Sequence, residues 1–253
     1  MGPMLKELKN LVAFLTVLPV GMDADCLYDA ANYMYLFPLV GAFIGMLGGV
    51  FAWLLLSILN ASIAGILTVG VLLMLTGLHH TDGLLDFGDA LMYQGSPERK
   101  IEIMHDQQTG AGGLVFGVVT ILATALCIAQ LNYNLIVQSI IVAEVSAKLV
   151  MVVMARVGRS AHEGMNTHFV NVMHGKRRNF RLIAALFISF GIASVLLRVV
   201  GFVTVVTSLA VALILTVTSD RHFNGVTGDV FGAGNELARL ASLIAIVMVV
   251  RWA

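Results

Sequence analysis

Asp82, Asp86 and Asp89 stand four and three residues apart within the run Gly77-Leu-His-His-Thr-Asp-Gly-Leu-Leu-Asp-Phe-Gly-Asp-Ala-Leu91. On a helix that spacing stacks all three carboxylates on one face. No Lys or Arg lies among them, so they repel one another unless a cation sits between them. Hard oxygen donors of this kind suit Mg²⁺, which typically takes one or two carboxylates and leaves room for substrate phosphates. A single aspartate near a helix start would be an ordinary solvated residue. Three on one face, beginning where a long apolar segment ends, predict a cation held against a diphosphate at a membrane surface.

Further candidates flank this run. His80 lies two residues before Asp82 and is a candidate general base or substrate anchor. No His-Glu-x-x-His or paired-cysteine pattern points to zinc. Ser96-Pro97-Glu98 reads as an N-cap with proline at the first helical position. The short helix it opens carries Arg99, a candidate phosphate contact, toward Asp106. Gly110, Gly112 and Gly113 follow, where backbone N–H groups at a helix start could meet phosphate. Glu144 and Lys148 stand four apart inside an apolar run, either as an internal ion pair or with Lys148 facing substrate. Asp229 sits in the glycine-rich stretch Gly225-Val-Thr-Gly-Asp-Val-Phe-Gly-Ala233, read as a turn that adds one more acid.

The elements that must position these residues are membrane helices. The chain is 58% hydrophobic and 12% charged, against about 25% charged in soluble domains. Its long apolar runs are enough to cross a hydrocarbon core about 30 Å thick. Seven spans are expected, near 32–59, 62–78, 112–131, 135–157, 181–197, 201–218 and 236–250, in a single all-α polytopic bundle over residues 1–253. The first holds Pro38 with Gly41, Gly45, Gly48 and Gly49, which allow a kink and close helix packing. Asn132-Tyr-Asn134 and Arg198 with Gly201 mark tight turns. In the last span Arg239 is expected to snorkel to the surface.

With those boundaries the polar segments 1–31, 79–111, 158–180 and 219–235 share one side. Of the fifteen Lys and Arg, Arg198 and Arg251 alone fall on the other. The positive-inside rule turns the polar side to the cytoplasm, with Lys176-Arg177-Arg178 the strongest anchor. A multi-pass protein of the cell membrane with cytoplasmic catalytic loops is expected. Residues 1–20 read as an amphipathic surface or re-entrant helix rather than a full span, without a cleavable signal peptide. Cys26 and Cys127 are expected as free thiols. Zero net charge argues against a nucleic-acid partner. The glycine-lined spans leave room for homo-oligomers.

Three separated motifs carry a resemblance: Leu78-His-His-Thr-Asp-Gly-Leu-Leu-Asp-Phe-Gly-Asp-Ala-Leu91, Glu98 to Asp106 with Gly110 and Gly113, and Gly225 to Ala233. With Phe14-Leu-Thr-Val-Leu-Pro19 and Phe37-Pro-Leu-Val-Gly41, they resemble the cobalamin synthase family in order along nearly the whole chain. The sequence departs from the family pattern at His79, where an apolar residue is usual, and at Lys148, where arginine is usual.

The resemblance implies a phosphoryl transfer. The 3′-hydroxyl of α-ribazole, or of α-ribazole 5′-phosphate, would attack the cobinamide-linked phosphorus of adenosylcobinamide-GDP, releasing GMP. Mg²⁺ would be held by Asp82, Asp86 and Asp89, with Asp106 or Asp229 completing the shell. His80 or an aspartate would accept the proton. Arg99, Gly110, Gly113, Lys148 and Thr227 are the implied substrate contacts. Two other readings stay open at this level. A CDP-alcohol phosphotransferase also arranges aspartates on membrane helices, although Asp86 and Phe87 replace its Ala-Arg pair. A secondary transporter could use Glu144 and Lys148, but would show inverted repeats.

Overall fold

Long stretches free of charge and interior proline leave the backbone no partner but itself in lipid, so they form helices. The computed structural model describes residues 3–21 and 23–252. Met1, Gly2, Met22 and Ala253 lie outside them, as do the side chains of Pro3, Met4, Trp252 and Arg251, whose expected place on the far side is therefore not described. Eleven helices follow one another among the described residues: α1 (Pro3–Leu15), α2 (Cys26–Asn32), α3 (Phe37–Leu56), α4 (Ala61–Leu75), α5 (His79–Met92), α6 (Pro97–Met104), α7 (Ala111–Ala129), α8 (Ile136–Val157), α9 (Met165–His174), α10 (Arg178–Phe223) and α11 (Gly228–Trp252).

α8 is the central post. It packs against α3, α10 and α11, and every residue from Val142 to Ala155 is buried. Glycines set the α3 contact. A Cβ on Gly41 would lie 2.5 Å from the Glu144 carbonyl oxygen, and one on Gly45 2.6 Å from Ile141 Cα. The expected close packing through small residues is present. Large exposed apolar side chains, such as Val119 and Leu122 on α7 or Ile183 and Phe187 on α10, make the lipid-facing surface. Inward hydroxyls on Thr68, Thr124, Ser189 and Thr216 donate to carbonyls one turn back, so the apolar interior holds no loose donor there.

Five helices are long and apolar enough to cross a membrane, or six if α4 and α5 form one bent span. The expected count of seven is not reached by that measure, for two reasons. At 15 residues α4 is about 22 Å long, short of the hydrocarbon thickness. The expected spans 181–197 and 201–218 run together as the 46 residues of α10, broken at Arg198, whose φ of 52° and ψ of −127° are not helical. Gly201 nevertheless touches the backbone of Ala193, and Phe190 packs on Phe202 with ring centroids 5.2 Å apart. Such contacts require the two arms to fold back on each other, so the turn expected at Arg198 is there. The last expected boundary moves: α11 starts at Gly228, eight residues before the expected 236.

The polar segments meet at one end of the bundle, as expected. Arg181 donates to the Asn32 carbonyl (3.2 Å), Lys100 Nζ pairs with His222 Nδ1 (2.9 Å), and Arg159 pairs with Asp220 (3.1 Å). α1 is amphipathic, burying Asn10, Leu11 and Leu15 while Leu5 and Lys6 face out. Cys26 and Cys127 are free.

Candidate active site

The polar end is organised by α5. Gly77 and Leu78 both adopt positive φ (66° and 63°), and the chain turns 98° between α4 and α5. α5 therefore lies across the bundle and rests on the first turns of α7 and α11. Small residues let it sit close. A Cβ on Gly83 would come within 2.8 Å of the Asp229 backbone, and one on Gly112 within 2.8 Å of the Gly88 carbonyl oxygen. Asp82, exposed, and Asp86, half-buried, thus face Asp229 at the start of α11. Burial, then the charges of Asp82, Asp229 and Asp89, push the Asp86 carboxyl up from 3.8 to about 7. Among the described residues no Lys or Arg forms an ion pair with any of these four acids.

Asp89 has a different partner. Its two carboxylate oxygens accept the Gly110 N–H (2.6 Å) and the Gly113 N–H (2.9 Å), so it caps α7 and binds α5 to it. This corrects the expectation that Gly110 and Gly113 offer their N–H groups to phosphate, because Asp89 already occupies them. It also explains the glycines: a Cβ on Gly113 would sit 2.6 Å from Asp89 Oδ2 and 2.5 Å from the Leu85 carbonyl oxygen. Gly113→Ala is expected to destabilise the protein by about 1–3 kcal/mol, read as a lower unfolding midpoint in detergent. Gly70→Ala, where nothing lies within 4 Å of the added methyl, should leave the midpoint unchanged or raise it.

Two histidines not anticipated from the sequence reach the same place. The loop before α9 is clamped to the turn before α11: Val226 N–H donates to the Arg159 carbonyl (2.8 Å), Ala161 N–H to the Val226 carbonyl (3.0 Å), and buried Asn166 Nδ2 to Val226 O and Ser160 Oγ. Gly225 makes this turn at φ 147°. The clamp sets His162 against His105 at the end of α6, ring centroids 5.2 Å apart, and both act electrostatically on Asp229. His162 Nδ1 bonds the Glu163 carbonyl (2.9 Å), which requires the proton on Nδ1 and leaves Nε2 as the acceptor. That Nε2 is buried without a partner.

The remaining expected residues separate. His80 turns into the bundle, buried against Gly232, and burial with the charges of Lys148 and Arg239 pushes its imidazole well below the usual range. Two residues along a helix from Asp82, it falls on the opposite face. Arg99 is exposed and pairs with Glu102, not with an aspartate. Asp106 is exposed and accepts the Gln108 N–H (3.1 Å). Thr227 is buried: its Oγ accepts the Val230 N–H (3.2 Å) and its hydroxyl meets Met104 Sδ, which makes it the cap of α11. Asp229 accordingly lies on the first helical turn, not in a loose glycine-rich turn as expected.

Lys148 also departs from its expected contact with substrate. It is 0% exposed, donates to Asn235 Oδ1 (2.6 Å) and lies 3.5 Å from Glu144. Arg239, 1% exposed, pairs with both Glu144 and Glu236 instead of snorkelling. Two acids and two bases neutralise each other between α8 and α11, out of reach of any ligand.

Among the described residues no three His, Cys, Asp or Glu side chains converge closely enough to hold a metal ion unaided. What the polar end offers is a group of uncompensated carboxylates, Asp82, Asp86 and Asp229, with imidazoles beside them. That arrangement can take a dication whose remaining ligands come from an anionic substrate.

Residues 7–247 match the family model described as Cobalamin-5-phosphate synthase. The chain is similar to a curated protein of Methanocella arvoryzae named adenosylcobinamide-GDP ribazoletransferase, 41% identical over 96% of this chain and 95% of that one. A relative of the same name from Methanococcoides burtonii is 31% identical over 99% of this chain and 94% of its own. Another, from Thermococcus kodakarensis, is 31% identical over 96% and 98%. No solved structure matches the chain.

Proposed function

The chain belongs to the Cobalamin-5-phosphate synthase family, and from that premise we propose that it is an adenosylcobinamide-GDP ribazoletransferase acting at the cytoplasmic face of the cell membrane. The 3′-hydroxyl of α-ribazole, or of its 5′-phosphate, attacks the cobinamide-linked phosphorus of adenosylcobinamide-GDP. A new P–O bond forms, the bond to the GMP oxygen breaks, and the hydroxyl proton passes to a base. The observation that carries this reading is the close seating of α5, which bears Asp82 and Asp86, on the Asp229 backbone of α11, with no Lys or Arg among the described residues paired to these acids.

The residues fit Mg²⁺. Mg²⁺ usually keeps waters and takes one or two carboxylates plus phosphate oxygens, so a closed protein cage is not required. When bound, it neutralises diphosphate charge and eases displacement at phosphorus. Asp82, Asp86 and Asp229 would hold it. Asp89 keeps α5 on α7 and so fixes the depth of the other acids, while Asp106 stands apart. Both His80 and His162 have an unpaired ring nitrogen, and for the proton His162 Nε2 is better placed, because it lies beside Asp229 while His80 turns into the bundle. The positive-inside bias of the polar end supports the cytoplasmic orientation.

The test is GMP release by detergent-purified protein given adenosylcobinamide-GDP and α-ribazole 5′-phosphate, with Mg²⁺ or with EDTA. GMP and a cobalamin product are expected with Mg²⁺ and neither with EDTA. No GMP from folded, lipid-supplemented protein would overturn the proposal.

A further inference from the structure

The far end of α5 borders a cavity of about 450 Å³ that the proposed chemistry does not use. Its walls are the α5 exit (Leu91 to Gly95), Pro97 and Lys100 of α6, and Arg221 and His222 from the last turn of α10. No acidic side chain lines it. Glu98, next to Pro97, is exposed and held by Asn224 Nδ2 (3.4 Å).

Lys100 is the unusual member, at 6% exposed. Its ammonium donates to His222 Nδ1 (2.9 Å) and to the Leu91 carbonyl oxygen (3.4 Å), both neutral acceptors. Among the described residues neither Lys100 nor Arg221 forms an ion pair with a carboxylate. A nearly buried ammonium without a counter-charge is costly unless an anion reaches it. An ammonium can only donate, so His222 Nδ1 accepts and the ring proton sits on Nε2, a further donor. Three donors, two of them cationic, surround one cavity.

We propose that this cavity is a phosphate subsite, in which Lys100, Arg221 and His222 receive the phosphomonoester of a nucleoside 5′-phosphate. Met92 lies six residues beyond Asp86, about 9 Å along the helix, a separation a nucleotide can span. Tyr93 and Gln94 border the cavity and offer a ring face and an amide to the nucleoside. The subsite rests on the reaction proposed above: its acceptor, α-ribazole 5′-phosphate, carries such a phosphate at the other end of the ribose from the attacking 3′-hydroxyl, whereas the phosphate of the leaving GMP is bonded through one oxygen to the attacked phosphorus and stays beside the aspartates.

The test compares Lys100→Met and Arg221→Gln with the wild type; Arg221 is exposed, so its variant does not threaten the fold. The readouts are the KM ratio between α-ribazole and α-ribazole 5′-phosphate, and the affinity for α-ribazole 5′-phosphate measured by calorimetry. A fall of about tenfold in preference for the phosphorylated acceptor in both variants would place the acceptor there. If neither quantity changes in the folded Arg221→Gln protein, the subsite is wrong. Calorimetry needs no turnover, so loss of α-ribazole 5′-phosphate binding in Arg221→Gln would support the subsite even if the proposed reaction failed.

Discussion

Asp86→Asn is expected to lower Mg²⁺-dependent GMP release by roughly 10²-fold or more, the scale of losing several kcal/mol of charge stabilisation. The substitution keeps the shape of the side chain and removes one carboxylate from a group that repels itself. It should therefore leave the protein folded, and in EDTA make it no less stable. The pH dependence carries a sign. Folding raises the Asp86 pKa from 3.8 to about 7, so the native state binds a proton that the unfolded chain releases. The stabilisation is full below 3.8 and is lost as pH rises toward about 7. Unfolding midpoints of the metal-free wild type should fall through that window, and Asp86→Asn should flatten the fall. Near-wild-type turnover in Asp86→Asn would remove the residue from the metal shell.

Arg239→Met is expected to be the most damaging change outside the site. It leaves Glu144 and Glu236 sharing the single Lys148 inside the bundle, and breaking a buried pair in this way costs about 3–5 kcal/mol. The readouts are the unfolding midpoint in detergent and the yield of folded protein. The double variant Glu236→Gln/Arg239→Gln restores neutrality, because Glu144 and Lys148 then pair alone, and should recover most of the loss. If it recovers nothing, packing of the arginine stem, rather than charge balance, is what α11 needs.

The features legible in the sequence depend on near neighbours. The three-aspartate face of α5 follows from spacing alone. The Ser96 cap, whose Oγ accepts the Arg99 N–H, and the Asn132 turn, whose side chain accepts the Asn134 N–H, follow from local turn chemistry. The glycines of α3 announce close packing, although not that α8 is the partner. What stayed hidden depends on residues far apart in the chain. Arg239 reads as a snorkelling charge until Glu144, ninety-five positions away, is brought beside it. Asp89 reads as a metal ligand until the start of α7 docks under α5. His105 and His162 lie in separate polar loops that the Val226 clamp brings together, and Lys100 meets His222 across 122 residues. The early start of α11 was within reach, since Thr227 followed by Asp229 is an N-cap signature.

The buried charges bear on how the protein enters its membrane. Glu144 and Lys148 are one turn apart on α8, and Glu236 and Arg239 three residues apart on α11. Each helix therefore carries its own acid and base and can leave the translocation machinery as a neutral zwitterion, without waiting for the other. In the folded bundle the Arg239 guanidinium bonds both Glu236 of its own helix and Glu144 of α8. The shared pairing fixes the rotation of α11, and with it the direction in which Asp229 faces at the water boundary.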